Sequence, residues 1–471
     1  MKKYVSICFI LSLCCYSILH LCERFNHSLL LQDLLSILGV ASIIFSSLLL
    51  NGRMLLLPTF MILFSLLIPF ISSDVALSEI IWQGSKQMRS LIVMLIIVPL
   101  VSWVLKQENY IEALLVFFQK QLNTSKRFYL GISMLTQVTS YFLLFASIPV
   151  VYGILQSIIG GKKGEEWERY KASIVLRGFS LSTLWVISTP SLAYVITILD
   201  ASLGLIVIQG SFIALLGLGL AVAVYYYDEK RFTNNVNEEM PGLMNSFTIK
   251  NAHQPKLVLE FILLFTTLLL TILIANALSS FDMLTIIPIV IICWTFFYFL
   301  LKGKLQQLYI ESKHYFSSRT GLPVRAREFS IILAAGFLIC ALNTSGWGHI
   351  VVEGIYLTSE RISWLNLLWI LPFTVPVLSM IGLMPSTVMV LVGGILQNIP
   401  LPYSAELTVL SLTTGSVFAV LLSPLIVPTI LLSSANGRSP LENSFKSNWR
   451  FAIVFYLITQ TYIQCMVWWL G

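Results

Sequence analysis

The sequence predicts an all-α polytopic membrane protein, with about eleven transmembrane helices and two re-entrant hairpins arranged as an inverted-topology repeat. Three observations carry that expectation. The 471 residues are 57% hydrophobic and only 11% charged, a balance far from that of a soluble enzyme. Apolar runs of roughly 17 to 25 residues, the length that crosses a ~30 Å hydrocarbon core, recur from end to end with no hydrophilic domain between them. Finally, "GILQSI" at Gly153–Ile158 returns as "GILQNI" at Gly394–Ile399, a self-similarity that divides the chain into two halves.

Taken in order, the first run is Tyr4–Cys22 behind Lys2 and Lys3. It has the outline of a signal peptide but is followed by no small-residue cleavage site, so it is read as a retained span. The remaining single spans are 29–50, 54–72, 90–105, 172–199, 204–227, 257–278, 283–301, 329–345, 407–433 and 448–470. Two pieces, 127–158 and 364–399, are too long for one upright crossing and short for two. Each suits a helical hairpin that enters and leaves on one side.

Charge orients these elements. With the N-terminus inside, the cytoplasmic segments are 51–53, 106–126, 159–171, 228–256, 302–328 and 434–447. Counting boundary residues with their nearest loop, these segments and the N-terminus hold all but five of the 29 lysines and arginines. Arg24, Lys86, Arg89 and Arg361 fall outside, and Arg177 lies within a span. Cytoplasmic loops are where positive charge collects, so the net charge of +7 speaks for a cytoplasmic membrane and not for nucleic acid. The seven cysteines all lie in apolar runs and read as small buried hydrophobes, with no CxxC. The five histidines form no metal-ligand spacing. No GxxxxGK[ST], GxGxxG or GxSxG occurs, which leaves no catalytic residue, metal site or cofactor to assign.

The two repeat copies share more than six residues. Each closes a suspected hairpin, and each is followed by a short loop and a helix interrupted by proline: Ser188-Thr189-Pro190 in the first half, Ser423-Pro424 in the second. Loop 159–171 is dense in charge, whereas 400–406, "PLPYSAE", holds one acid and no base. Under the positive-inside rule the two loops face opposite sides, which describes an inverted repeat. The chain then divides into an extra N-terminal span (1–28), a first repeat (29–227, hairpin 127–158), a cytoplasmic linker (228–256) and a second repeat (257–471, hairpin 364–399).

Proline within a membrane helix removes a donor and frees a carbonyl, so Pro190, Pro424 and Pro428 unwind or kink their helices. Freed carbonyls suit a sodium ion and half-helix N–H groups suit an anion. Ser188, Thr189 and Ser423 add hydroxyls there; a kink packed by its neighbours is the plainer reading. With "GLMPS" at Gly382–Ser386 and these interrupted helices, the chain resembles the ion transporter superfamily, which includes citrate, dicarboxylate, arsenite and sodium/proton carriers. The resemblance implies a solute and a coupling cation bound between two hairpin tips and two helix breaks, and a homodimer. At the tips it points to Thr139 and Ser140 in the first hairpin and to Ser379, Ser386 and Thr387 in the second. Dicarboxylate carriers place Ser-Asn-Thr at each tip and this chain does not.

Arg177 lies about six residues, roughly 9 Å, from the cytoplasmic end of its helix. It either snorkels to the interface or offers a planar fork to an anionic solute. "CALNTSGWGHI" at Cys340–Ile350 is either a polar lining or a helix terminus anchored by Trp347. Gly160-Gly161 and Gly393-Gly394 read as hinges or as points of close packing. The acids within spans are Asp33 and Glu260, both near an end, which favours sodium coupling over a deep proton-carrying carboxylate. These features together predict a secondary active transporter for a small anionic solute. The alternatives are a membrane enzyme, such as a lipid-linked glycan polymerase or ligase, and a scaffold that transports nothing.

Overall fold

The computed structural model describes residues 2–25, 28–71, 76–159, 164–231, 239–243, 255–317, 321–350, 353–354 and 366–470. Among them the chain forms helices and no strands, as a bilayer requires of a chain that is not a closed barrel. Eleven helices are long and apolar enough to cross a membrane. Their outer surface is apolar: Leu29, Phe70, Leu278 and Leu301 are 82, 77, 83 and 85% exposed, which water would penalise and lipid tails accept. The protein is an all-α polytopic membrane chain.

The number matches the expectation but its membership does not. The span expected at 90–105 begins at Leu77 and runs to Leu105, as Leu77–Gln87, Arg89–Ile97 and Leu100–Leu105. Glu79, Gln83, Lys86 and Gln87 make its first turns look like a loop, yet Ile80, Gly84 and Ser85 are buried on one face. Conversely, the stretch expected as span 172–199 is divided into Glu165–Ser182 and Pro190–Ile198 and is not one of the eleven; its place in the number is taken by Ser125–Ile159, the piece expected as the first hairpin. Cys15, Cys22, Cys293 and Cys465 are exposed, so the expectation that all seven are buried is corrected; small apolar side chains also suit a lipid-facing surface. Most of the linker 228–256, together with Arg361 and the Gly160-Gly161 pair, lies outside the described residues.

The chain divides into two compact units that cut across the repeat halves. One gathers 1–104, 275–365 and 390–401. It is built on close glycine contacts: a Cβ on Gly84 would stand 2.9 Å from Phe337 Cα, and one on Gly39 would stand 2.4 Å from the Ser85 carbonyl oxygen. Tyr16 donates to the same Ser85 carbonyl at 2.7 Å, and Arg89 pairs with buried Glu23 at 3.3 Å, an acid that belongs to the first helix and not to a loop. Gly394 packs on Ile339 and its carbonyl accepts from Asn343, which favours close packing over a hinge. "CALNTSGWGHI" is a helix terminus, the helix ending at Thr344.

The other unit gathers 105–274, 366–389 and 402–471 and holds the first expected hairpin, both interrupted helices, and the first arm and turn of the second hairpin, whose residues 390–396 fall in the first unit. The first hairpin is Ser125–Leu143 and Ser147–Ile159, turned at 144–146. Ser140 Oγ and Ser147 Oγ are 2.9 Å apart, whereas seven residues of continuous helix would separate them by about 10 Å along the axis. The reversal falls at Leu144, whose φ is +49°. The second hairpin is Leu367–Met380 and Pro385–Leu396, turned at Gly382 with φ +101°, a conformation glycine adopts without strain.

In both halves the first hairpin arm packs along the first part of the interrupted helix that follows. The contact is made by a glycine each time. A Cβ on Gly178 would stand 2.7 Å from the Ser133 carbonyl oxygen, and one on Gly415 would stand 2.5 Å from the Pro372 carbonyl oxygen. With no hydrophobic force between helices in lipid, such backbone approach is what holds them. Accordingly Gly178→Val and Gly415→Val should each destabilise the protein by roughly 1–3 kcal/mol through overpacking, read as a lower thermal midpoint in detergent. Gly219→Ala, where a Cβ meets nothing within 4 Å, should leave the midpoint unchanged.

Candidate functional site

The expected helix interruptions are present in both halves. Glu165–Ser182 ends in a series of tight turns over 183–189, and Pro190 opens the helix Pro190–Ile198 as its first residue. Proline fits there because its missing N–H would find no intrahelical partner at that position. Ala405–Leu422 gives way at 423–426 to Val427–Asn436, with Pro424 inside the gap and Pro428 in the first turn of the second part. Each gap leaves backbone groups of two helix ends to be satisfied by something other than the helix.

One hydroxyl in each gap reaches out to the end of a neighbouring hairpin arm, and it does so in the same way. Ser188 Oγ donates to the Tyr141 carbonyl at 2.6 Å, and Ser423 Oγ donates to the Ser379 carbonyl at 2.9 Å. Tyr141 and Ser379 both lie in the last turn of a first hairpin arm. Each break is thereby tied to the tip of its own hairpin. The two interrupted helices also pack on one another, Glu165–Ser182 against Ala405–Leu422 and Val427–Asn436, and Pro190–Ile198 against Ala405–Leu422.

All eleven residues singled out in the sequence lie in this one unit. Thr139 and Ser140 are buried at the first tip, where both hydroxyls donate to the Thr136 carbonyl. Thr189 caps the start of Pro190–Ile198 by position, without a side-chain hydrogen bond, and is half-buried. Ser379 is buried and its hydroxyl has no partner. Ser386 is half-buried and Thr387 buried on the second arm of the second hairpin. Among the described residues no three His, Cys, Asp or Glu gather as metal ligands.

Arg177 is 3% exposed and takes neither expected posture. Its guanidinium donates to Asn448 Oδ1 at 3.0 Å, to Tyr129 Oη at 3.3 Å, and to the carbonyls of Ala221 and Ser447 at 3.4 and 3.1 Å. It also lies 5.0 Å from the Phe451 ring centre. Four of its five N–H donors are thus engaged by the protein, and the group fastens Glu165–Ser182 to three other helices. Asn448, whose Nδ2 donates to the carbonyls of Asn443 and Ser444, was not legible as its partner.

The sequence reading also missed Gln137, Tyr141 and Trp185. Trp185 Nε1 donates to Gln137 Oε1 at 2.8 Å, and the Trp185 and Tyr141 rings stack at 6.3 Å. An amide one helical turn before a tyrosine, on the arm that also carries Ser133, Thr136, Thr139 and Ser140, is the signal that points to them. Removing the break hydroxyls should leave the Tyr141 and Ser379 carbonyls without these donors, so Ser188→Ala and Ser423→Ala should each cost about 1–3 kcal/mol. Arg177→Lys keeps the charge but loses the fork and should cost roughly 2 kcal/mol or more. Thermal unfolding of the purified variants checks all three.

No protein-family model and no curated protein matches the chain. Among solved structures it is similar to the crystal structure of the YdaH transporter of Alcanivorax borkumensis, described as having an unusual topology. The TM-score is 0.49 at 12% identity, covering 89% of this chain and 98% of that one.

Proposed function

We propose that the protein is a secondary active transporter for a small anionic solute, coupled to sodium and working by alternating access in the cytoplasmic membrane. One observation carries the reading. Two proline-interrupted helices, each tied by a break hydroxyl to the tip of its own hairpin, pack on one another within a single compact unit. Irregular backbone at membrane depth is tolerated where it lines a cavity or is buried in protein, and paired interruptions are a means of presenting helix ends to a solute and an ion.

The chemistry of the unit supports the rest. Half-helix starts at Pro190 and Val427 direct unpaired N–H groups and positive dipole ends toward their gaps, which favours an anion. Carbonyls and hydroxyls of Ser188, Thr189, Ser379 and Ser423 are hard oxygen donors of the kind sodium takes, by the same logic as other hard cations. Arg177 serves in this reading as a fastening within the unit, not as the solute's partner. The two hairpin-and-break elements are the parts that would move in this reading, and a homodimer is the assembly that the resemblance implies.

Thermal unfolding in detergent tests the proposal directly, against carboxylates, inorganic oxyanions and neutral solutes, with sodium present or replaced by potassium. A ligand bound only by the native state at a hundred times its dissociation constant adds about 2.7 kcal/mol. A selective, sodium-dependent rise of the midpoint is the expected result. No rise with any solute, from protein shown to be folded, contradicts it.

A further inference from the structure

The wall where the first hairpin meets the first helix break carries donors that nothing in the protein uses. Gln137 is 4% exposed and Tyr141 is fully buried, yet Gln137 Nε2 and Tyr141 Oη have no hydrogen-bond partner. Leaving such groups unpaired is costly in any protein interior and more so at membrane depth.

The orientation of the amide is fixed. Trp185 offers an indole N–H, a donor only, so the atom it meets must be the Gln137 carbonyl oxygen, and the NH2 end is left facing away with two donors. Gln137 and Tyr141 are four residues apart on one helix face. Trp185 touches both, through the hydrogen bond and through the ring stack, so the two free polar ends belong to one wall. Phe265 completes it, with ring centres 5.1 Å from Tyr141 and 6.3 Å from Trp185. Trp185 and Phe265 are both only half-buried, so each ring keeps part of its apolar surface uncovered. The same Tyr141 supplies the carbonyl that holds Ser188, placing the wall at the break itself.

We infer that Gln137 and Tyr141 are solute-recognition residues: their amide and phenol donors take the carboxylate of a monocarboxylate solute whose apolar body lies against Trp185 and Phe265. The assignment rests on the transporter reading above. It narrows the solute class for a physical reason. Two neutral donor groups match the two oxygens of one carboxylate, and the nearest guanidinium on the following helix, Arg177, has four of its five donors engaged. Di- and tricarboxylates would bring a second charge to an apolar wall that offers it no donor.

The test uses the full chain in detergent with sodium. Hexanoate and benzoate serve as probes beside succinate, citrate and phosphate, with dissociation constants taken from the concentration dependence of the thermal midpoint. Gln137→Glu keeps the acceptor for Trp185 but replaces the free donors with a negative charge; Tyr141→Phe removes only the hydroxyl. The expected results are binding of the monocarboxylates by the wild type, an affinity weakened about tenfold or more in Gln137→Glu, and a smaller loss in Tyr141→Phe. Unliganded Tyr141→Phe should unfold no lower than the wild type, since its hydroxyl has no partner to lose. Unchanged monocarboxylate affinity in both variants overturns the assignment while leaving the transporter reading standing. So does a wild type that binds succinate, citrate or phosphate and neither monocarboxylate. No binding of any solute by the wild type removes the transporter reading and the assignment with it.

Discussion

A bilayer supplies no water to a broken helix, and that constraint shapes the unit that holds both breaks. Wherever the backbone leaves the helical ladder at membrane depth, the protein must provide the partners that solvent would otherwise supply. Ser188 and Ser423 do so by reaching the carbonyls of Tyr141 and Ser379. Each bond satisfies backbone and fastens a break to a hairpin tip in the same stroke. The tip and the break therefore move, if they move, as one piece.

The packing around these bonds is made possible by the absence of side chains. Gly178 and Gly415 let a hairpin arm lie against the helix that precedes each break, at distances that a Cβ would not permit. Arg177 adds a second layer, engaging Asn448 and Ser447 across 271 and 270 residues of sequence. A buried cation is expensive unless its donors are met, and here the acceptors come from three different helices. The result is a unit in which the group that fastens the helices is well satisfied while several polar atoms at the hairpins are not. Gln137, Tyr141 and Ser379 each keep a buried polar atom without a partner at a hairpin tip or beside it.

Much of this was legible in the sequence because it is local chemistry. The hairpins expected at 127–158 and 364–399 are found over Ser125–Ile159 and Leu367–Leu396, since their lengths fit neither one crossing nor two. The interruptions at Pro190 and Pro424 follow from what proline does to a helix. What was not legible depends on distant partners. The helix Leu77–Gln87 is not legible because its polar residues show in the sequence and its buried face does not. The partner of Arg177 is not legible either, because nothing near it in sequence announces Asn448. The compact units mix segments from both halves, an arrangement that only the folded contacts define.

The proposed transport mechanism requires the two hairpin-and-break elements to be an inverted pair. Single cysteines at Glu166 and at Pro402, introduced in turn into a cysteine-free chain, test it through labelling by a membrane-impermeant maleimide in right-side-out and inside-out vesicles. The account predicts that Glu166→Cys reacts only in inside-out vesicles and Pro402→Cys only in right-side-out ones. Labelling of both positions from the same side would contradict it.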